Sequence, residues 1–272
     1  MNGIRKTVNY TISFLLLAGL VFSSGVMSVL LYAKMTGKDW VLSWKSDTAV
    51  AFAETLPVPS PSPAPAKPAS ALLEVPLIRQ NPELPSGCEV TSLSMLLAYY
   101  GAKTDKLKLA AEMKRDTTEL KRAPDGTILS WGNPNVGFVG EITGRAKGFG
   151  IYHTALIELM RKYIPDAVDL TGGSFEALEK QVASGSPVVV WTTIDYIVPE
   201  PDRWVVWDTS LGPIRTTFSE HAVVLVGYDE QNVYVNDPLS GKSSLPVNKA
   251  AFLETWEAMG KQALSYPSRA TQ

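Results

Sequence analysis

Val75-Pro76-Leu77-Ile78-Arg79-Gln80-Asn81-Pro82-Glu83-Leu84-Pro85-Ser86-Gly87-Cys88-Glu89 is a turn-rich approach to a helix. Beyond it Leu93, Leu96, Leu97 and Tyr100 recur at a spacing of three to four, and Gly101 stops the run. That spacing predicts a helix from Cys88 to about Tyr100. Ser86 and Glu89 occupy the positions of a capping box, with Ser86 as N-cap, so Cys88 falls in the first turn. Backbone N–H groups there lack intrahelical partners, and the macrodipole favours negative charge. A thiol so placed is expected to ionise more readily than an ordinary cysteine, above all beside a protonated histidine. The competing expectation is an inert cysteine packed as a small hydrophobe.

Cys88 is the one cysteine of 272 residues, and His153 and His221 are the two histidines. One cysteine excludes an intramolecular disulfide and a Cys-rich zinc site. With two histidines, any metal site would have to lean on carboxylates; no metal and no cofactor is expected. The formal net charge of −2 argues against a nucleic-acid binder, which shows a basic face. A 45% hydrophobic and 19% charged composition rules out disorder throughout.

Downstream of the first helix, a short helix is expected over about 107–114, then a long irregular loop with glycines at 132, 137, 140, 144, 148 and 150. No strand is expected to lead into a phosphate-cradling pattern there and Gly-Lys-Ser/Thr is absent, so a nucleotide loop is not expected. Helices are expected over about 154–162 and 175–183, the second capped by Ser174 and stopped by Gly185. From Pro187 the pattern changes. Val188–Thr193 reads as a buried strand, Trp204–Trp207 and Ile214–Phe218 as a hairpin, and Ala222–Tyr228 and Val233–Asn236 as two more strands. A final helix runs from Lys249 to about Met259, with Asn248 as cap and Phe252, Trp256 and Met259 as its apolar stripe. Helices followed by an antiparallel sheet make the fold class α+β.

His221 opens one strand and Asp237 closes the next. Cysteine catalysis needs a base beside the thiol and a third group that orients the imidazole. If the turn pairs Asp229 with Asn232, Asp237 lies opposite Val224 and faces away from His221. If a three-residue loop pairs Tyr228 with Asn232, Asp237 lies opposite Val223, on the face of His221. Both registers are open to the sequence. Gln80, ahead of the loop, carries an amide donor that could bind an oxyanion near the nucleophile. His153 adjoins the glycine-rich loop and is the weaker candidate for the base.

The N-terminus points to a membrane. Arg5 and Lys6 precede an uncharged stretch from Thr7 to Ala33, longer than the apolar core of a cleaved signal peptide. About 20 apolar residues suffice to cross a bilayer. Residues 1–34 are therefore expected to form an uncleaved signal anchor, N-terminus inside and the bulk outside. Phe22-Ser23-Ser24 offers the alternative of cleavage and secretion. A linker over 35–70 includes Pro57 to Pro68, whose alternating prolines favour polyproline II, a spacer of roughly 40 Å. One globular domain is expected over 71–268.

The segment from Val75 to Glu89, with the helix ending Tyr99-Tyr100-Gly101, resembles the extracytoplasmic branch of the bacteriocin-processing (double-glycine) peptidase family, which are papain-like cysteine peptidases. His221-Ala222-Val223-Val224-Leu225-Val226-Gly227-Tyr228 and Asn236-Asp237-Pro238 are similar to that family's His and Asp blocks. Gly132-Asn133-Pro134 with Gly148-Phe149-Gly150-Ile151-Tyr152 resembles its loop segment. The resemblance implies a papain-like fold, Cys88 as nucleophile, His221 as base, Asp237 as orienting acid and Gln80 as oxyanion donor. It implies a peptide or protein substrate, cell-wall peptide included, for a membrane-anchored hydrolase. Two features depart from the transporter-linked members: Glu89 stands where they have glycine, and Gln80 lies further from the cysteine. The chain also carries no transporter or ATPase segment, so cleavage of double-glycine leaders is not implied. Two other classes share the pattern: a transglutaminase-like or amidase-like acyl transferase acting on the cell wall, and a non-catalytic peptide-binding module.

Overall fold

The computed structural model of the chain describes residues 67–267; the expected anchor and nearly all of the proline-rich spacer lie outside the described residues. In chain order the elements are β1 (Ala71–Leu72), α1 (Cys88–Tyr100), α2 (Lys106–Glu112), β2 (Arg115–Asp116), β3 (Lys121–Arg122), β4 (Ile128–Ser130), β5 (Phe138–Val139), α3 (His153–Arg161), β6 (Val168–Asp169) and α4 (Phe175–Ala183). Then follow β7 (Val188–Thr193), β8 (Trp204–Thr209), β9 (Gly212–Thr217), β10 (Glu220–Tyr228), β11 (Asn232–Asp237), β12 (Lys242–Asn248), α5 (Lys249–Ala258) and β13 (Ala263–Ser265). Among the described residues no helix is long and apolar enough to cross a membrane.

The main sheet is antiparallel, in the order β12-β11-β10-β7-β13-β6, with β1 paired to the far end of β10. Its central strands are buried on both faces, so they read as continuous apolar runs rather than alternating ones. Alternate residues divide between two layers. Val189, Trp191, Ala222, Val224 and Val226 pack with Leu93, Leu96 and Leu97 of α1. Val188, Val190, Val223 and Leu225 pack with α4 and with Phe252 and Trp256 of α5. α1 is thus a central helix, buried through its first ten residues. A second sheet, β3-β4-β8-β9, carries Trp207, whose ring packs with Phe149 of the glycine-rich loop and with Phe218 just after β9.

The end signals of α4 and α5 act as their residue types require. Ser174 accepts from the Ala177 N–H and Asn248 from the Ala251 N–H. Gly185 and Gly260 follow in the left-handed region, which suits glycine. The capping box expected at α1 does not form. Gly87 is the N-cap and makes no side-chain cap. Glu89 turns inward instead, where its Oε1 accepts the Ile151 N–H at 2.7 Å.

Candidate active site

α1 and β10 are held side by side by Ser92, whose hydroxyl donates to the Ala222 carbonyl at 3.0 Å. This brings the first turn of α1 to the start of β10, and a cleft of about 210 Å³ opens there. Gln80, Cys88, Glu220 and His221 line it, with Phe149 and Phe218 on one wall. The glycine-rich loop supplies that wall: Gly148 and Phe149 reach the cleft, and the loop is tied down by a Gly140–Gly148 bridge.

The His–Asp register resolves in a way neither sequence alternative contained. The turn is the tighter one, with the Asp229 N–H donating to the Asn232 carbonyl at 2.9 Å and Tyr228 opposite Val233. A β-bulge between Leu225 and Gly227 then shifts the pairing by one residue, so that Val224 faces Asn236. Continuing the ladder puts Asp237 across from Val223, on the side of His221. His221 Nε2 and Asp237 Oδ1 are 2.8 Å apart, and the two residues are 2% and 4% exposed. Burial alone would raise the Asp237 carboxyl. The His221 contact, together with bonds from the Leu239 and Ser240 backbone, more than offsets it and holds the group down at about 2. With Nε2 engaged, Nδ1 is the ring nitrogen left for other chemistry.

Gln80 is buried under the loop. Its backbone N–H donates to the Pro238 carbonyl at 3.0 Å, which ties it to the residue after Asp237. Its Nε2 donates to the Pro85 carbonyl at 2.7 Å. An amide nitrogen has two hydrogens, so one remains for a ligand in the cleft. His153 is elsewhere: its Nδ1 lies 2.6 Å from Asp169 Oδ2, and it lines a separate cleft with Trp204 and Arg215.

The expectation of a readily ionised Cys88 is corrected. The thiol is 7% exposed, and burial pushes its pKa well up. The Glu89 and Glu220 carboxyls push it further, against a smaller opposing effect from the Ala222 backbone. Its hydrogen bond runs to Glu89 Oε2 at 3.4 Å. Both carboxyls are themselves raised: Glu89 to about 7 by burial, and Glu220 well upward by burial and the charge of Glu89. Burial first, and then the two acids, thus set the thiol here, not its place in the first turn of the helix.

Glu89 and Glu220 were not singled out from the sequence as parts of the site, although a signal was present. Glu89 sits on the stripe of Leu93, Leu96 and Leu97, and Glu220 alternates with Ala222, Val224 and Val226. Each is a charged residue type at a core position.

The chain resembles known proteins over most of the described domain. A profile described as the Peptidase_C39 like family matches residues 72–264. Uncharacterized protein YvpB of Bacillus subtilis (strain 168) is 38% identical over 184 residues, which are 67% of this chain and 70% of that protein. The crystal structure of a proposed C39-like peptidase from Bacillus anthracis is 45% identical, with a TM-score of 0.67, and the match covers 74% of this chain and 98% of that one. With its mixed helix and sheet architecture, the chain belongs to the Peptidase_C39 like family, a membership that suggests a papain-like cysteine peptidase.

Proposed function

We propose that the chain is a cysteine peptidase that cleaves peptide or amide bonds through an acyl-enzyme on Cys88, anchored by its N-terminal segment to the outer face of a membrane. The observation that carries the reading is the buried His221–Asp237 pair at a cleft that Cys88 and Gln80 also line. In this mechanism His221 Nδ1 takes the thiol proton as Sγ attacks the carbonyl carbon. Asp237, held ionised, steadies the imidazolium and keeps the ring oriented. The second Nε2 hydrogen of Gln80 donates to the oxyanion. Collapse of the tetrahedral intermediate passes the proton from His221 to the leaving amine, and water then releases the acyl group by the reverse steps. Because the resting thiol is neutral, proton transfer belongs to the attack rather than preceding it.

The anchor rests on the uncharged stretch Thr7–Ala33 behind Arg5 and Lys6. It predicts release by detergent with the N-terminus intact; a mature N-terminus near Gly25 would make the protein secreted instead.

The test is to incubate the enzyme with peptide libraries and cell-wall peptide fragments, with and without an added primary amine, and to read products and trapped acyl-enzyme by mass spectrometry. Hydrolysed products and a Cys88 adduct, both lost in Cys88→Ala, are expected. Amine-capped products in place of acids would make the protein an acyl transferase. No adduct on any substrate, with Cys88 alkylating like an ordinary buried thiol whether or not His221 is present, would overturn catalysis.

A further inference from the structure

Three potential ligand groups converge at the N-terminal end of α1. Cys88 Sγ, a Glu89 carboxylate oxygen and a Glu220 carboxylate oxygen all lie within 4.8 Å of one another. Cys88 and Glu220 are each 7% exposed and Glu89 is fully buried. Such a cluster calls for something that satisfies it. Glu89 is partly satisfied, with Oε1 on the Ile151 N–H and Oε2 on the thiol. Glu220 is not: its Oε1 is buried and has no hydrogen-bond partner, although Glu220 lines the cleft. A buried carboxyl oxygen without a donor is costly, so its retention asks for a ligand. The backbone also makes room for the pair. A Cβ on Gly150 would stand 2.2 Å from Glu89 Oε1 and 3.2 Å from Glu220 Oε2.

We propose that Cys88, Glu89 and Glu220 bind a zinc-class divalent cation, and that the bound ion silences Cys88 as a nucleophile. One thiolate and two carboxylates form a mixed soft and hard donor set of the kind zinc accepts, at about 2.3 Å for sulfur and about 2.0–2.2 Å for oxygen. Tetrahedral geometry at those lengths puts ligand atoms about 3.5 Å apart, so from separations within 4.8 Å the cluster needs a contraction of at most about 1.3 Å. Cys88 and Glu89 already stand at 3.4 Å. The fourth position faces the cleft, because both Cys88 and Glu220 line it. Binding sends the thiol proton and any carboxyl protons to solvent and leaves each donor as an anion on the metal. Burial, which raises all three pKa values, is then offset by the cation. The ion competes with acyl-enzyme formation for the same sulfur, so zinc would act as a reversible brake.

The competing arrangement is an ion held by Cys88 and His221, and the experiment separates the two. Cadmium is titrated into the full-length chain in detergent and the sulfur-to-cadmium charge-transfer absorption is followed; this requires no substrate. In parallel, zinc protection of Cys88 against alkylation is measured. One ion per chain is expected in the wild type and in His221→Ala. Glu220→Gln keeps the shape but loses a ligand, so affinity should fall by at least about 10–100-fold, the range seen even for outer-sphere partners. Zinc protection should disappear with it. Glu89→Gln provides a second ligand deletion if Glu220→Gln unfolds. The proposal is overturned if the wild type shows no charge-transfer band. It is equally overturned if the band survives both carboxyl substitutions, or is lost in His221→Ala alone. A positive result stands whether or not a peptide substrate is found.

Discussion

Glu220 and His221 are adjacent on β10, so their side chains leave the strand on opposite faces. Glu220 comes close to the thiol and His221 Nε2 reaches Asp237, and at this end of the strand both still line the cleft with Cys88. This alternation gives the two residues separable effects. The Glu220 carboxyl is raised by burial and by Glu89, so the folded state favours its protonated form. A carboxyl whose folded pKa lies above its unfolded value contributes stability below the unfolded value, and that contribution is lost as pH rises through the folded one. Glu89, raised from 4.5 to about 7, sets the window. Thermal unfolding should therefore show stability falling between about pH 4.5 and 7 and beyond, and Glu220→Gln should flatten that fall. The same substitution removes one repulsion on the thiolate, so the alkylation pH profile of Cys88 should move to lower pH. An unchanged profile together with an unchanged stability curve would sink the account of the cluster. Activity should grade differently. Cys88→Ala abolishes adduct formation, His221→Ala is nearly as damaging, and Asp237→Ala is partial because the imidazole remains. Gln80→Ala should cost on the order of 10²–10³ in turnover. His153→Ala should change nothing, being bonded to Asp169 at another cleft.

Elements are where the sequence was most legible, and where its limits show. α1, α4 and β7 follow directly from apolar spacing and from Ser174, Gly101 and Gly185, because those signals are local. The short β6 and β13 have too few residues for a period, and β12 carries Pro246, which suits its place at the sheet edge but hides it as a strand. The bulge in β10 depends on how two strands and two layers pack, so neither turn alternative could include it, yet it decides that Asp237 meets His221. The capping box failed for a related reason: Glu89 has a better partner in Ile151, which comes from a remote loop. That contact makes Gly150 a test at this scale. Gly150→Ala drives a methyl into the Glu89 carboxylate, and overpacking of this kind costs about 1–3 kcal/mol. Combined with Glu89→Ala, the total loss in urea unfolding should be smaller than the sum of the two single losses. Strict additivity would mean that the glycine is not there to admit the carboxyl.

At the scale of the molecule, the described domain holds together through contacts that reach back across the sheet from its first residues. β1 pairs Ala71 with Tyr228 and Leu72 with Gly227, capping the end of β10 opposite the cleft. The Tyr228 hydroxyl donates to the Pro68 carbonyl at 2.9 Å. Lys67 forms an ion pair with Glu179, which also holds Lys249, and lies over the Tyr228 ring at 4.4 Å from its centre. The tail of the proline-rich segment is thus part of the fold, a few residues earlier than the boundary expected from composition, because these contacts are long-range. The cleft lies at the other end of β10, so folding and chemistry can be tested apart. A chain beginning at Lys67 should unfold in one cooperative urea transition without the preceding segment. A chain beginning at Leu73 loses the β1 ladder and the Pro68 bond, and at about 0.5–1.5 kcal/mol per net hydrogen bond it should be less stable by about 1–3 kcal/mol. The alkylation rate of Cys88 should be the same in both, since none of the lost contacts reaches the cleft. If the longer chain shows no cooperative transition, the fold needs residues before Lys67. If the shorter chain is equally stable, the β1 strand and its lysine are bystanders. If the shorter chain instead alters Cys88 reactivity while keeping its stability, the two ends of β10 are coupled, and the tether itself would reach the site through the strand.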